Sequence, residues 1–357
     1  MDPARHAALL CDWCLEVQQG QEVLVDTTTA AEPLAVALEA ALLERGAWPH
    51  FDLALPGHEP RVLKHGREPH FDGVSRISRA VAETMDAHLH VRAPQNMREL
   101  AGADPALLAR RARAISPLRE IRLAKRWALS IWPTDAQAQE AGMSLAEYAA
   151  FLERALFLDQ EDPLAAWRSL RERQSQLLER LGSARRVRIE SERTDITLAV
   201  DGRTWQNSDG RRNMPSGEVF TSPHETSANG TVYFDVPSKD KGVEVAGISL
   251  SFIDGAVVEA HAERGEAQLK AQLDADPGAR RLGEIGIGTN YGIDRATGST
   301  LLDEKIGGTV HLALGRSYPE CGGVNESAIH WDLICDLRGG GRISVDGEVL
   351  SEDGRFS

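Results

Sequence analysis

Two patterns of apolar and polar positions divide the chain. In the first half, apolar residues recur at helical spacing or in short continuous runs. Residues 3–17 carry them at helical spacing and predict an amphipathic helix. EVLVDT (22–27) predicts a buried strand, and residues 32–45 a helix stopped by Gly46. Residues 48–55, 86–93 and 126–133 predict three more strands. Residues 105–126 predict a helix broken at Pro117. Residues 134–181 are strongly helical, with apolar stripes along SLAEYAAFLERALFLD and DPLAAWRSLRERQSQLLERL. Asp162 followed by Pro163 supplies a cap and a first-turn proline. Strands alternating with helices predict an α/β domain with a mostly parallel sheet over residues 1–182.

From Ala184 the period shortens. RRVRIES, DITLAVDG, VEVAGISLSFIDGAVVEAHAE, TVHLALG, IHWDLICDL and GRISVDGEVL alternate like strands between glycine turns. Asp-Gly pairs at 201–202, 254–255 and 346–347 are hairpin signals. One helix is expected at about residues 265–274. Residues 183–357 therefore predict a β-rich (α+β) domain.

Composition narrows the function classes. A chain of 357 residues exceeds one ordinary core, so two domains are expected. Hydrophobic residues at 42% and charged ones at 26% fit a globular protein. A net charge of −14 argues against nucleic-acid binding. The basic run 110–126 also holds Ile, Leu and Ala at helical spacing, as a solvated helix face would. No segment reaches the roughly 18 apolar residues of a membrane span. MDPARHAALLCDWCLEV has charges where a signal peptide needs an apolar core, so a cytoplasmic protein without membrane partners is expected. The cysteines, Cys11, Cys14, Cys321 and Cys335, are too few for a disulfide scaffold. The CxxC of Cys11 and Cys14 has neither a preceding strand nor a second pair, which predicts two core-facing thiols on a helix. No GxGxxG follows the first strand, so no dinucleotide site is expected.

The chemistry gathers in residues 284–332. Glu284, Glu304, His311, Tyr318, His330 and Asp332 stand there among glycines and short apolar runs. Carboxylates and imidazoles are the donor set for zinc, cobalt or manganese. His330 and Asp332 are two apart in AIHWDLICDL, so one strand face carries both. His311 belongs to a second strand, TVHLALG. Upstream, in NMPSGEVFTSP, Pro215 and Gly217 bend the chain just before Glu218. A mononuclear catalytic zinc takes three protein ligands, fewer than these candidates offer. Two divalent ions about 3.5–4 Å apart would use them, and would offset four carboxylates that otherwise repel. A triad of His311, His330 and Asp332 would instead suit non-haem iron.

NMPSGEVFTSP, RRLGEIGIG, LLDEKIGGTVHLALG and GGVNESAIHWDL, in that order, resemble the aminopeptidase T / aminopeptidase S family of dimetal peptidases. The resemblance implies an α/β domain followed by a β-rich domain with two metal ions, a homodimer, and removal of N-terminal residues from peptides with a free N-terminus. It makes Glu218 the first carboxylate ligand and Glu284 the second, bridging the metals. Glu304 falls on the acidic residue of the LxDE segment, His311 on the histidine of HxALG, and His330 and Asp332 on the closing HxD. The spacing from Glu304 to His311 is longer than in the best-known members. Glu218 or Glu284 would shuttle the proton, and Tyr318 would hydrogen-bond the oxyanion. Ring-cleaving dihydroxypyridine dioxygenases resemble the same overall pattern, but there a histidine tends to stand at the position of Glu284. A non-catalytic peptide- or metal-binding protein on the same fold is the third alternative. His224, Glu225 and His261 lie outside these motifs and are expected at the surface.

Overall fold

The computed structural model describes residues 1–240 and 242–357. The chain forms two compact units, one of residues 1–164 with 210–215, the other of residues 165–209 with 216–357.

The first unit is built on a five-stranded sheet. Its order is Trp48–Ala54, Glu22–Thr28, Ala87–Arg92, Arg126–Ile131 and Asn213–Met214, and every pairing is parallel. Val23, Val25, Leu89 and Val91 bury its interior. The expected N-terminal helix runs as an α-helix over Pro3–Leu9 and then widens to a π-helical segment, Leu10–Leu15. Cys11 and Cys14 are not joined in a disulfide and are both fully buried, as their helical spacing implies. Helix Pro105–Leu123 continues through Pro117. Of its residues only Leu118 is buried, so water can satisfy the carbonyl that proline leaves without a partner. Three short helices, His58–His65, Glu68–Asp72 and Arg76–Thr84, occupy a stretch whose mixed pattern gave no expectation. The region 134–181 resolves into helices Asp135–Glu140 and Leu145–Ala155 in this unit and Pro163–Leu181, nearly all of it in the second. The second of these starts on a capping box of Ser144 and Glu147.

The second unit packs two sheets over one core. A nine-stranded sheet includes Arg186–Ser191, Thr194–Ala199, Asn229–Phe234 and Val243–Ile253. A five-stranded antiparallel sheet has the order His330–Asp336, Thr309–Gly315, Leu282–Gly288, Glu218–Thr221 and Gln206–Ser208. Val187, Ile196, Val232 and Leu250 from the first sheet share a buried cluster with Ile285, Ile287, Val310, Leu312 and Leu333 from the second. Of the three Asp-Gly pairs named above two turn hairpins, and Asp353–Gly354 (φ 48° and 69°) turns a further one. Asp254 and Gly255 (φ 46° and 79°) and Asp346 and Gly347 (φ 51° and 93°) each put two successive residues in the left-handed region, as a type I′ turn requires. Asp201–Gly202 instead leads out of the sheet toward Gln206–Ser208. The helix expected at 265–274 is Glu266–Leu273, and a short second one, Thr300–Asp303, adds to it where one helix was expected.

Candidate metal centre

Period two writes the site onto one face of the five-stranded sheet. Glu284 pairs with Ala313, which pairs with Asp332. One row on, Gly286 lies between His311 and Phe220, and Gly288 pairs with Glu218. His330 pairs with Gly315. These residues share a parity in register, so their side chains share a face. The alternate positions, Ile285, Ile287, Val310, Leu312 and Leu333, point the other way into the core. The same burial that drives the sheet to pack therefore orients the polar set.

Two donor groups form on that face. Glu218, Glu284 and His311 make one, and Glu284, His330 and Asp332 the other, each with donor atoms within 4.8 Å of one another. Glu284 belongs to both. Its Oε1 lies 3.6 Å from His311 Nε2 and its Oε2 3.1 Å from His330 Nε2. His311 Nε2 is also 3.5 Å from Glu218 Oε2, and His330 Nε2 is 3.5 Å from Asp332 Oδ1. Glu218, Glu284 and His311 are buried, while His330 keeps a side-chain exposure of 26% and opens the cluster toward solvent. His330 Nδ1 is 2.8 Å from the Arg316 carbonyl. A proton on Nδ1 donated there leaves the Nε2 lone pair for a metal.

The donor set suits divalent cations. Glu218 Oε2 and Asp332 Oδ1 are buried with no hydrogen-bond partner, a costly state for a carboxylate oxygen unless a cation satisfies it. Without such an ion the charge is balanced by protons. Burial works against the charge on His311, but Glu284, with Glu218 and Asp332, outweighs it and raises the imidazole to about 9. Burial is outweighed in the same way at His330, where Asp332 and Glu284 raise it to about 11. Metal ions displace such protons when they bind.

Tyr318 follows the His311 strand in a loop. Its ring packs between Phe220, with centroids 5.4 Å apart, and His330, at 5.1 Å. Its hydroxyl is 3.4 Å from His330 Nε2. Burial raises its pKa, and the charges of Glu284 and Asp332 raise it further, so the phenol holds its proton. Glu304 caps the short helix Thr300–Asp303 and lies outside both donor groups. Its carboxylate pairs with the neighbouring Lys305. Burial pushes the Glu304 carboxyl up, and the Lys305 ammonium against it pulls it back toward the charged form.

The sequence reading passed over three residues that shape the face. Lys305 is 0% exposed, with its ammonium 3.2 Å from Glu218 Oε1. Gln174 is likewise buried, and its amide donates to the Glu218 carbonyl at 3.0 Å and to Thr289 Oγ1 at 3.0 Å. A signal for it existed. It falls on the stripe of Trp167, Leu170, Leu177 and Leu181, where an uncharged polar residue needs a partner. Gly286 is the third, and the His311 imidazole occupies the space a side chain there would fill. One surface expectation is corrected. Glu225 is partly buried, takes a hydrogen bond of 2.9 Å from Arg203, and accepts the Val324 amide at 2.9 Å. The polar groups it serves lie in its own fold, which a motif-based reading cannot see.

With this geometry in place, comparison with known proteins is specific. The family described as thermophilic metalloprotease (M29) matches residues 3–356. The chain belongs to that family. Aminopeptidase 2 of Geobacillus stearothermophilus is 31% identical, over 98% of this chain and 94% of its own length. The structure of wild-type AmpT from Thermus thermophilus superposes with a TM-score of 0.84 at 26% identity, covering 99% of this chain and 98% of that one. A 2,5-dihydroxypyridine dioxygenase from Pseudomonas putida KT2440 reaches a TM-score of 0.58 at 17% identity, over 99% of this chain and 96% of that one, and this shows a shared fold alone. The iron triad considered from sequence would join His311 to His330 and Asp332. The groups found here instead divide the two histidines about Glu284.

Proposed function

We propose that this M29 metalloprotease is a metal-dependent aminopeptidase that removes N-terminal residues from peptides with a free N-terminus. The observation that carries the reading is Glu284, one carboxylate common to two donor groups. It supports two divalent ions, zinc, cobalt or manganese, held by Glu218, Glu284, His311, His330 and Asp332 in the β-rich second half, residues 183–357. Such ions, when bound, supply an acidified water and polarise the scissile carbonyl.

The chain's own residues supply the rest. One carboxylate of the pair Glu218 and Glu284 takes the proton of the attacking water and returns it to the leaving amine. The Tyr318 hydroxyl, still protonated, donates a hydrogen bond to the tetrahedral oxyanion. Carboxylates in excess on a partly open face suit the free α-ammonium of a peptide. An acetylated terminus would leave a carboxylate unpaired, at a cost of about 1–3 kcal/mol, or roughly 10- to 100-fold. A homodimer and a cytoplasmic location belong to the same reading. Among the described residues no helix is long and apolar enough to cross a membrane.

The test is a pair of identical peptides, one free at its N-terminus and one acetylated, incubated with metal-reconstituted protein and followed by mass spectrometry. Stepwise loss of single residues from the free peptide alone is expected. Equal cleavage of both, or cuts in the interior, would defeat the reading.

A further inference from the structure

A lysine is an odd neighbour for a cation site, and Lys305 has no role in the chemistry above. Its side chain is wholly buried. Burying an ammonium is expensive unless close carboxylates pair with it, and an apolar side chain of similar size would usually cost the fold less. Its partners are Glu218, at 3.2 Å from Oε1, and Glu304. The backbone holds it in place. The Lys305 amide donates to the Leu302 carbonyl at 3.1 Å, and its carbonyl accepts from the Asn290 amide at 3.1 Å. The buried Asn290 side chain donates to the Ser216 carbonyl at 2.7 Å, two residues before Glu218. One asparagine thus ties the loop of the ammonium to the strand of its partner.

The consequence is an asymmetric Glu218. Oε1 is held by Lys305, whereas Oε2 is buried without a hydrogen bond and lies 3.5 Å from His311 Nε2. A free carboxylate can rotate and offer either oxygen or both. This one offers a single oxygen to the donor group it shares with Glu284 and His311. Glu304, on the same ammonium, stands outside both groups.

We propose that Lys305 is a positioning residue of the metal centre: it holds Glu218 by one oxygen so that the other faces the metal, and it engages Glu304 as a counter-ion in place of metal ligation. Among four nearby carboxylates, Glu218, Glu284, Glu304 and Asp332, the ammonium offsets one charge. The donor set then consists of Glu218, Glu284, His311, His330 and Asp332. This inference rests on the metal-binding reading above and supplies a physical reason why its ligand set leaves out Glu304.

The experiment is a titration of the metal-free full chain with Zn(II) by calorimetry, and with Co(II) by visible absorption. Wild type is expected to bind two ions. Glu304→Gln is expected to bind two as well, with an unchanged Co(II) spectrum. Lys305→Met is expected to lose at least about 10-fold in affinity for one of the two ions, the scale of losing a group that orients a ligand. Its Co(II) bands should shift, and Lys305→Arg should recover part of the affinity. Should Lys305→Met fail to fold, Glu304→Gln/Lys305→Met removes both charges together and should show the same selective loss. A Glu304→Gln protein that binds one ion would make Glu304 a ligand and overturn the proposal. Wild-type binding in the Lys305→Met or double variant would also overturn it. A wild-type chain that binds no divalent ion would instead defeat the underlying metal reading, and this inference with it.

Discussion

Gly286 lies directly opposite His311 on the neighbouring strand, and a Cβ built on it would sit 2.1 Å from His311 Cε1 and Nε2. The glycine is there for space. A side chain at this position would push the imidazole off the line to Glu284 and Glu218. Gly286→Ala should therefore shift His311, or cost the about 1–3 kcal/mol of an overpacked core. We expect at least about a 10-fold fall in metal affinity and a matching fall in kcat/KM. Isothermal titration with Zn(II) and peptide kinetics check it, and wild-type values in both would show that the ring position does not matter.

Glu284 is the residue on which both donor groups depend. Glu284→Gln keeps its shape and removes the charge. Loss of a residue that merely orients a metal ligand costs about 10–100-fold, so a shared ligand should cost more than about 100-fold in kcat/KM. Bound metal should fall, and the far-UV circular dichroism should stay as it is. Full activity with full metal occupancy would exclude the shared role.

Far along the sequence, His6 makes the first unit sensitive to acid. It is fully buried, with Nε2 2.9 Å from Ser130 Oγ and its ring stacked on Trp132. Burial lowers its pKa from 6.5 to about 3. The folded chain thus refuses a proton that the unfolded chain accepts below 6.5. The sign follows. Stability from this group is complete above pH 6.5 and is lost as pH falls from there toward 3. Each pH unit within that window costs up to about 1.4 kcal/mol. The apparent Tm of wild type should drop between pH 7 and 4.5 more steeply than that of His6→Gln, as read by circular dichroism. Parallel curves would refute it.

Much of this architecture is legible in the chain because burial imposes a period. TVHLALG and AIHWDLICDL alternate, and alternation both makes them strands and sends His311, His330 and Asp332 to the face away from the core. Asp-Gly at 254–255 and 346–347 marks hairpins because those residues tolerate positive φ. What the sequence hides are relations across strands. That Glu284 faces both histidines depends on register, and the register shifts irregularly between Leu282 and Glu284. The short strand Glu218–Thr221 has too few residues to show a period. Lys305 reads as an ordinary charge in a glycine-rich turn, and only the fold closes it between Glu218 and Glu304. Pro117 signals a break, yet an exposed helix carries it.

The central claim is a centre for two divalent ions organised by Glu284. It is tested most directly by elemental analysis of the full chain after removal of metal, reconstitution with zinc, cobalt or manganese, and exhaustive dialysis. Two ions per chain, falling in Glu284→Gln, is the expected result. Saturation at one divalent ion per chain, with no second ion taken up, would contradict it.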